Sequence, residues 1–192
     1  MSGYYEYEPQ IELARPTVVT GYLTDFTRAV TYRASSLLGL PYHDIDRLVE
    51  HDVAMEITRL VSESGEDRLR QVESQCLEKA LVGQPAGLIA LGDGGLLAEG
   101  NRDRVEADGD LIVLDFEMGN LLWRAQHRAR RLAPAPWHPL VWEIPATVAD
   151  IRPYFQARQP GFEQAEVRIP ASSLSVAQAC EALMGQLDEL AS

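Results

Sequence analysis

At 192 residues, with 46% hydrophobic content and a formal charge of −12, the chain is long enough to close one well-cored domain and too short for two ordinary ones. The surplus of acid repels polyphosphates, which excludes non-specific binding to nucleic acid or to an anionic membrane and disfavours ATP unless a local basic cluster intervenes. Cys76 and Cys180 each lie in a helical, partly apolar pattern with no metal-ligand spacing, so buried free thiols are predicted.

Residues 1–15 are read as an N-terminal tail, acidic and rich in tyrosine (Tyr4-Tyr5-Glu6-Tyr7-Glu8), ahead of a domain over 16–192. The tail has no apolar signal core, and nowhere do about 18 apolar residues run together, so a cytoplasmic chain is expected. Thr17-Val18-Val19-Thr20 is a β-rich run that stops at Gly21, the pattern of a buried strand feeding a loop and then a helix. Further short apolar runs fall at 87–91, 111–114 and 165–169, separated by helical patterns. That alternation predicts an α/β domain with a mainly parallel sheet. Between 124 and 142 a basic stretch (Arg124, Arg128, Arg130, Arg131) gives way to Pro134, Pro136, Trp137, His138 and Pro139, which reads as a lid. The last segment is the clearest helix: Ser175 and Gln178 form a capping box ahead of Val176, Ala179, Cys180, Leu183, Met184, Leu187 and Leu190 at helical spacing.

The chemistry concentrates after the first strand. A phosphate loop of the form G-x-x-x-x-G-K-[S/T] would occupy Gly21, Tyr22, Leu23, Thr24, Asp25, Phe26, Thr27 and Arg28; of its glycines, lysine and hydroxyl, only the first glycine is present. Such a loop points successive backbone N–H groups at phosphate and needs glycine where the chain turns left-handed. Phe26 in that conformation would cost about 1–2 kcal/mol. Thr27 lacks the lysine charge and Arg28 lacks the magnesium-binding hydroxyl. Beyond an amphipathic helix come Gly39-Leu40-Pro41-Tyr42 and a paired acid, Asp44 and Asp46. The segment has the layout of a small-molecule kinase without its donor residues.

From Val18 onward the order of features resembles the shikimate kinase family, of the nucleoside-monophosphate-kinase-like P-loop group. The resemblance implies a three-layer α/β/α fold with about five parallel strands and a lid near 124–142. It also implies that Asp44 assists magnesium, and that Asp46 grips the acceptor hydroxyls and serves as candidate base. The helical motif G-E-x-x-F-R-x-x-E is similar to Gly65-Glu66-Asp67-Arg68-Leu69-Arg70-Gln71-Val72-Glu73, which makes Arg70 an acceptor-binding residue. The family's glycine triplet corresponds to Gly92-Asp93-Gly94, giving Gly92 and Gly94 places at the acceptor and putting an aspartate between them. His138 stands in the lid where an arginine is expected, and Arg158 becomes a second residue for an acceptor carboxylate. A guanidinium presents a planar fork to a carboxylate, and a carboxylate such as Asp46 accepts from two neighbouring hydroxyls.

Ordinary readings stand beside these. Exposed helix arginines form solvated pairs, Asp93 would cap a helix ahead of Leu96-Leu97, the Arg124–Arg131 run would be a solvated face, and Trp137 and Trp142 would be packing anchors. His43, His51 and His127 lack metal spacing. Arg28 is expected to pair with Asp44, Asp46 or Asp93, standing where a metal would have stood. Three functions follow: a silent relative that keeps a pocket for a small anionic polyol or carboxylate and needs no cofactor; an active kinase with a remodelled loop, using ATP and magnesium; or an interaction protein with an unidentified protein partner.

Overall fold

The computed structural model describes residues 10–132 and 145–191, without the side chains of Glu99 and residues 128–132. The Tyr4–Glu8 run, Trp137, His138, Trp142 and most of the expected lid lie outside the described residues.

Five strands form one sheet in the order β2-β3-β1-β4-β5, from β1 (Thr17–Gly21), β2 (Tyr42–Asp44), β3 (Leu88–Ala90), β4 (Asp110–Asp115) and β5 (Val167–Pro170). Every pairing is parallel. The central strand β1 is wholly buried, which is why its sequence is β-branched and uncharged up to Gly21 where a half-exposed strand would alternate. Helices cover both faces: α1 (Thr24–Leu38), α2 (Ile45–Val53), α3 (Ile57–Leu81), α4 (Glu99–Asp108), α5 (Met118–Leu132), α6 (Val148–Phe162) and α7 (Val176–Leu190). The architecture is the three-layer α/β/α arrangement that the resemblance implied, and its sheet is the parallel one that the alternating pattern predicted.

Strand β2, which no apolar run announced, is short and half-buried and sits at the sheet edge, pairing Tyr42, His43 and Asp44 with Leu88, Ile89 and Ala90. The expected capping box of α7 is present, with Ser175 accepting from the Gln178 amide. Both cysteines are free and buried. The long helix α3 is bent at Gly65, whose φ of 80° and ψ of 171° no other residue type adopts without strain. The second half of α3 therefore sets off in its own direction, starting with Arg70 and Glu73 near the carboxyl ends of the strands, where Glu73 meets Gly92, and running back to Leu81 beside Gly109 at the amino end of β4.

Candidate functional site

In an open parallel sheet, ligand sites lie beyond the carboxyl ends of the strands where the strand order reverses. Here that place is the junction of β1 with its neighbours β3 and β4, faced by the start of α1, the 92–97 turn and α6.

Helix α1 starts at Thr24, three residues past the end of β1, inside the x-x-x-x stretch of the phosphate-loop pattern and ahead of the position of its second glycine. Thr24, Asp25 and Phe26 are helical, and the Thr27 amide donates to the Leu23 carbonyl at 2.9 Å. The strain expected of Phe26 does not arise, because the only non-glycine residue with positive φ among the described residues is Ala54. Its ring instead packs edge-on against Phe116, at 5.4 Å between centroids and an interplanar angle of 83°. The Arg124 guanidinium lies 5.1 Å from the Phe26 centroid and 5.2 Å from that of Phe116, within cation–π range, and donates to the carbonyls of Ser172 and Leu174 at 3.2 Å each. Arg124 is thus a packing element, contrary to its expected place on a solvated face.

Arg28 pairs with Asp44 at 2.7 Å and lies 4.0 Å from Asp46, two of the three partners expected of it. Asp44 is buried and also caps α2 by accepting from the Arg47 amide at 3.3 Å. Asp46 and Glu73 converge on Gly92: a methyl group there would stand 3.1 Å from Asp46 Oδ1 and 3.3 Å from Glu73 Oε1. Burial first, and then the Glu73 charge, push the Asp46 carboxyl up to about 7, with Arg28 acting in the opposite sense. Burial also raises Glu73. Arg70 holds Glu73 at 2.5 Å and Glu66 at 2.8 Å, and its guanidinium lies flat over Gly94, where any Cβ would collide with it. Gly92 and Gly94 therefore sit against Asp46 and Arg70, the residues that share their expected role.

Asp93, between those glycines, is buried and does not cap a helix: α4 begins only at Glu99, with Ala98 before it. Its Oδ1 accepts from the Thr24 hydroxyl at 3.0 Å, and its own amide donates back to that oxygen at 3.3 Å. Its Oδ2 accepts from Arg158 Nε and lies 2.7 Å from the Tyr154 hydroxyl. Tyr154 also lies 2.9 Å from the Tyr22 carbonyl; a phenol has one proton, and the charged acceptor is the stronger of the two. Arg158 is only 6% exposed, packs over the Tyr154 ring at 3.6 Å and donates to the Tyr154 carbonyl at 3.1 Å. The solvated-pair reading of this arginine is excluded by its burial. Gly161 completes the junction, since a Cβ there would press on Leu96 at 2.7 Å.

The structure thus gathers Asp44, Asp46, Arg70, Gly92, Gly94, Arg158 and the Gly21–Arg28 segment around one end of the sheet. Glu73 and Tyr154, which the sequence reading assigned no role, belong to the same network. Spacing offers a signal for both: each lies one helical turn from a candidate arginine, at i+3 from Arg70 and at i−4 from Arg158.

Fold and site together define a kinase-type α/β protein with a network of acids and arginines beyond the strand ends. A family model for shikimate kinase matches residues 29–188, beginning one position past Arg28. The chain belongs to the shikimate kinase family. It is 28% identical over 166 residues to a shikimate kinase of Cereibacter sphaeroides, covering 86% of this chain and 79% of that one. To the shikimate kinase of Symbiobacterium thermophilum it is 29% identical over 173 residues, covering 90% and 95%. Among solved structures, the fold is shared by shikimate kinase from Bacteroides thetaiotaomicron (TM-score 0.73, 20% identity, 91% and 99% covered). It is shared equally by the Acinetobacter baumannii enzyme in complex with shikimate (TM-score 0.72, 19% identity, 91% and 94% covered). No helix among the described residues is long and apolar enough to cross a membrane.

Proposed function

We propose that this protein is a shikimate kinase relative that no longer transfers phosphate from ATP and acts through small-molecule recognition in the acceptor half of its cleft. The observation that carries this reading is the early start of α1. A phosphate cradle curls a glycine-bearing loop around the ligand so that successive amides converge on it, whereas here Thr24–Phe26 form the straight first turn of α1, with amides aligned along the helix axis, and the Thr27 amide is engaged with the Leu23 carbonyl.

Three further features agree. The Phe26 ring is bound up with Phe116 and Arg124. Arg28, at the position of the magnesium-binding hydroxyl, brings a cation against Asp44, the carboxylate that would otherwise assist the metal. Asp25 and Asp93 add negative charge at the head of α1, where a triphosphate would have to sit. These residues do not fit a magnesium–triphosphate group.

The acceptor half keeps its hydrogen-bonding residues. Asp46 offers a carboxylate to neighbouring hydroxyls, and Arg70 is held by Glu66 and Glu73 in a fixed orientation. The test is calorimetric titration with magnesium–ATP together with a phosphoryl-transfer assay on shikimate. The expected result is neither binding heat nor turnover. Submillimolar ATP binding with turnover would overturn the reading.

A further inference from the structure

We propose that Asp93 is a resident carboxylate occupying the arginine seat of the cleft, so that the ligand of this site is an uncharged polyol and external carboxylates are refused. The proposal rests on the acceptor half being a small-molecule site, as argued above, and is independent of whether phosphate is transferred.

Arg158 is the group best suited to hold an external carboxylate, because its planar fork is buried and fixed by the Tyr154 ring and carbonyl. Asp93 already fills that role. Its Oδ2 takes the Arg158 Nε–H and the Tyr154 hydroxyl, and its Oδ1 takes the Thr24 hydroxyl. A carboxylate arriving from solvent would have to displace an anion that is covalently part of the same turn and therefore present at high effective concentration. It would leave the buried Asp93 charge without its cation, a state that costs several kcal/mol.

The local charge reinforces the exclusion. Around the Gly92-Asp93-Gly94 turn four acids, Asp46, Glu66, Glu73 and Asp93, face three cations among the described residues, Arg28, Arg70 and Arg158, so the site disfavours an incoming anion. Hydroxyl groups meet no such barrier, since they donate to Asp46 and accept from Arg70 without bringing charge.

The test compares shikimate, as the carboxylate probe, with the corresponding cyclohexene triol lacking the carboxylate, by saturation-transfer NMR and calorimetry. The wild type is expected to bind the triol at least tenfold more tightly than shikimate. Asp93→Gly and Asp93→Asn are expected to gain at least tenfold in shikimate affinity, and Arg158→Met added to either should cancel the gain. The proposal is overturned if the wild type binds shikimate as well as the triol, if it binds neither, or if folded Asp93 variants gain nothing. Should both variants fail to fold, the wild-type comparison decides alone. ATP-dependent phosphorylation of the triol would sink the proposed function and leave this inference standing, while wild-type binding of shikimate as tight as that of the triol, without turnover, would do the reverse.

Discussion

Asp46 and Glu73 bring their carboxylates against the same face of Gly92, and among the described residues Arg28 and Arg70 are the cations that stand near to offset them. Partial burial of Asp46 and the neighbouring charge of the buried Glu73 both disfavour its ionised form, and the Asp46 carboxyl is accordingly raised from an ordinary 3.8 to about 7.

A raised acid pKa makes the native state hold a proton that the unfolded chain has released. Between about pH 4 and pH 7 the folded state binds more protons than the unfolded one, so the contribution of Asp46 to stability falls as pH rises through this window and stays low above it. Asp46→Asn removes the ionisation while keeping the shape. It is expected to raise the melting temperature at pH 8, by an amount on the order of a few kcal/mol in unfolding free energy, with the advantage shrinking toward pH 5. Thermal melts of both proteins across pH 5–8 check this; a pH-independent difference would contradict it.

Arg28 and Asp44 form the second coupled pair. Asp44 is buried and Arg28 is its closest cation, with Arg47 farther off at 3.7 Å. Removing the guanidinium leaves a buried carboxylate with the more distant, exposed arginine alone, so Arg28→Met should cost roughly 2–3 kcal/mol. Asp44→Asn loses less, because an amide oxygen still caps α2. In the double variant the two costs should fall short of their sum by about 1 kcal/mol or more, as read from denaturant unfolding; additivity would mean the pair carries no coupling.

How far the sequence disclosed this arrangement depended on the distance over which partners act. The strand before Gly21, the capping box of α7 and the Arg70 helix were readable because their determinants lie within a few residues of one another. The pairing of Arg28 with Asp44 and Asp46 followed from charge and from the shared segment. The link from Asp93 to Arg158 spans 65 residues, and nothing local to either residue announces it. The start of α1 was hidden for another reason. A degenerate phosphate loop can stay a loop or wind into helix, and in the helical form the Phe26 ring packs against Phe116 and Arg124, from the β4–α5 region, partners that no local pattern announces. Tertiary context overrode the pattern there, as it did for the short edge strand β2.

Phe26 itself provides a test of that account. Its half-buried ring joins the first turn of α1 to Phe116 and Arg124. Phe26→Ala is expected to cost roughly 1–3 kcal/mol from lost packing and cation–π attraction, whereas Phe26→Leu, which keeps most of the apolar volume, should cost less than about 1.5 kcal/mol. Chemical denaturation of the three proteins checks the order. If alanine were neutral, the ring would not be what holds the helix start in place.

Gly94 makes the sharpest steric prediction. Any Cβ at this position would fall within the Arg70 guanidinium, and Arg70 is held by Glu66 at 2.8 Å and Glu73 at 2.5 Å, so it has little freedom to yield. Gly94→Ala must therefore push Arg70 off Glu73 or shift the 92–97 turn, and displacing the cation leaves Glu73 buried beside Asp46 with no near counter-charge. The expected cost is about 2–4 kcal/mol. The mechanism is separable from a simple clash of backbone: once Glu73→Gln has removed the charge that Arg70 serves, Gly94→Ala should cost appreciably less than in the wild-type background. An equal cost in both backgrounds, measured by urea unfolding, would place the strain in the turn itself and not in the displaced ion pair.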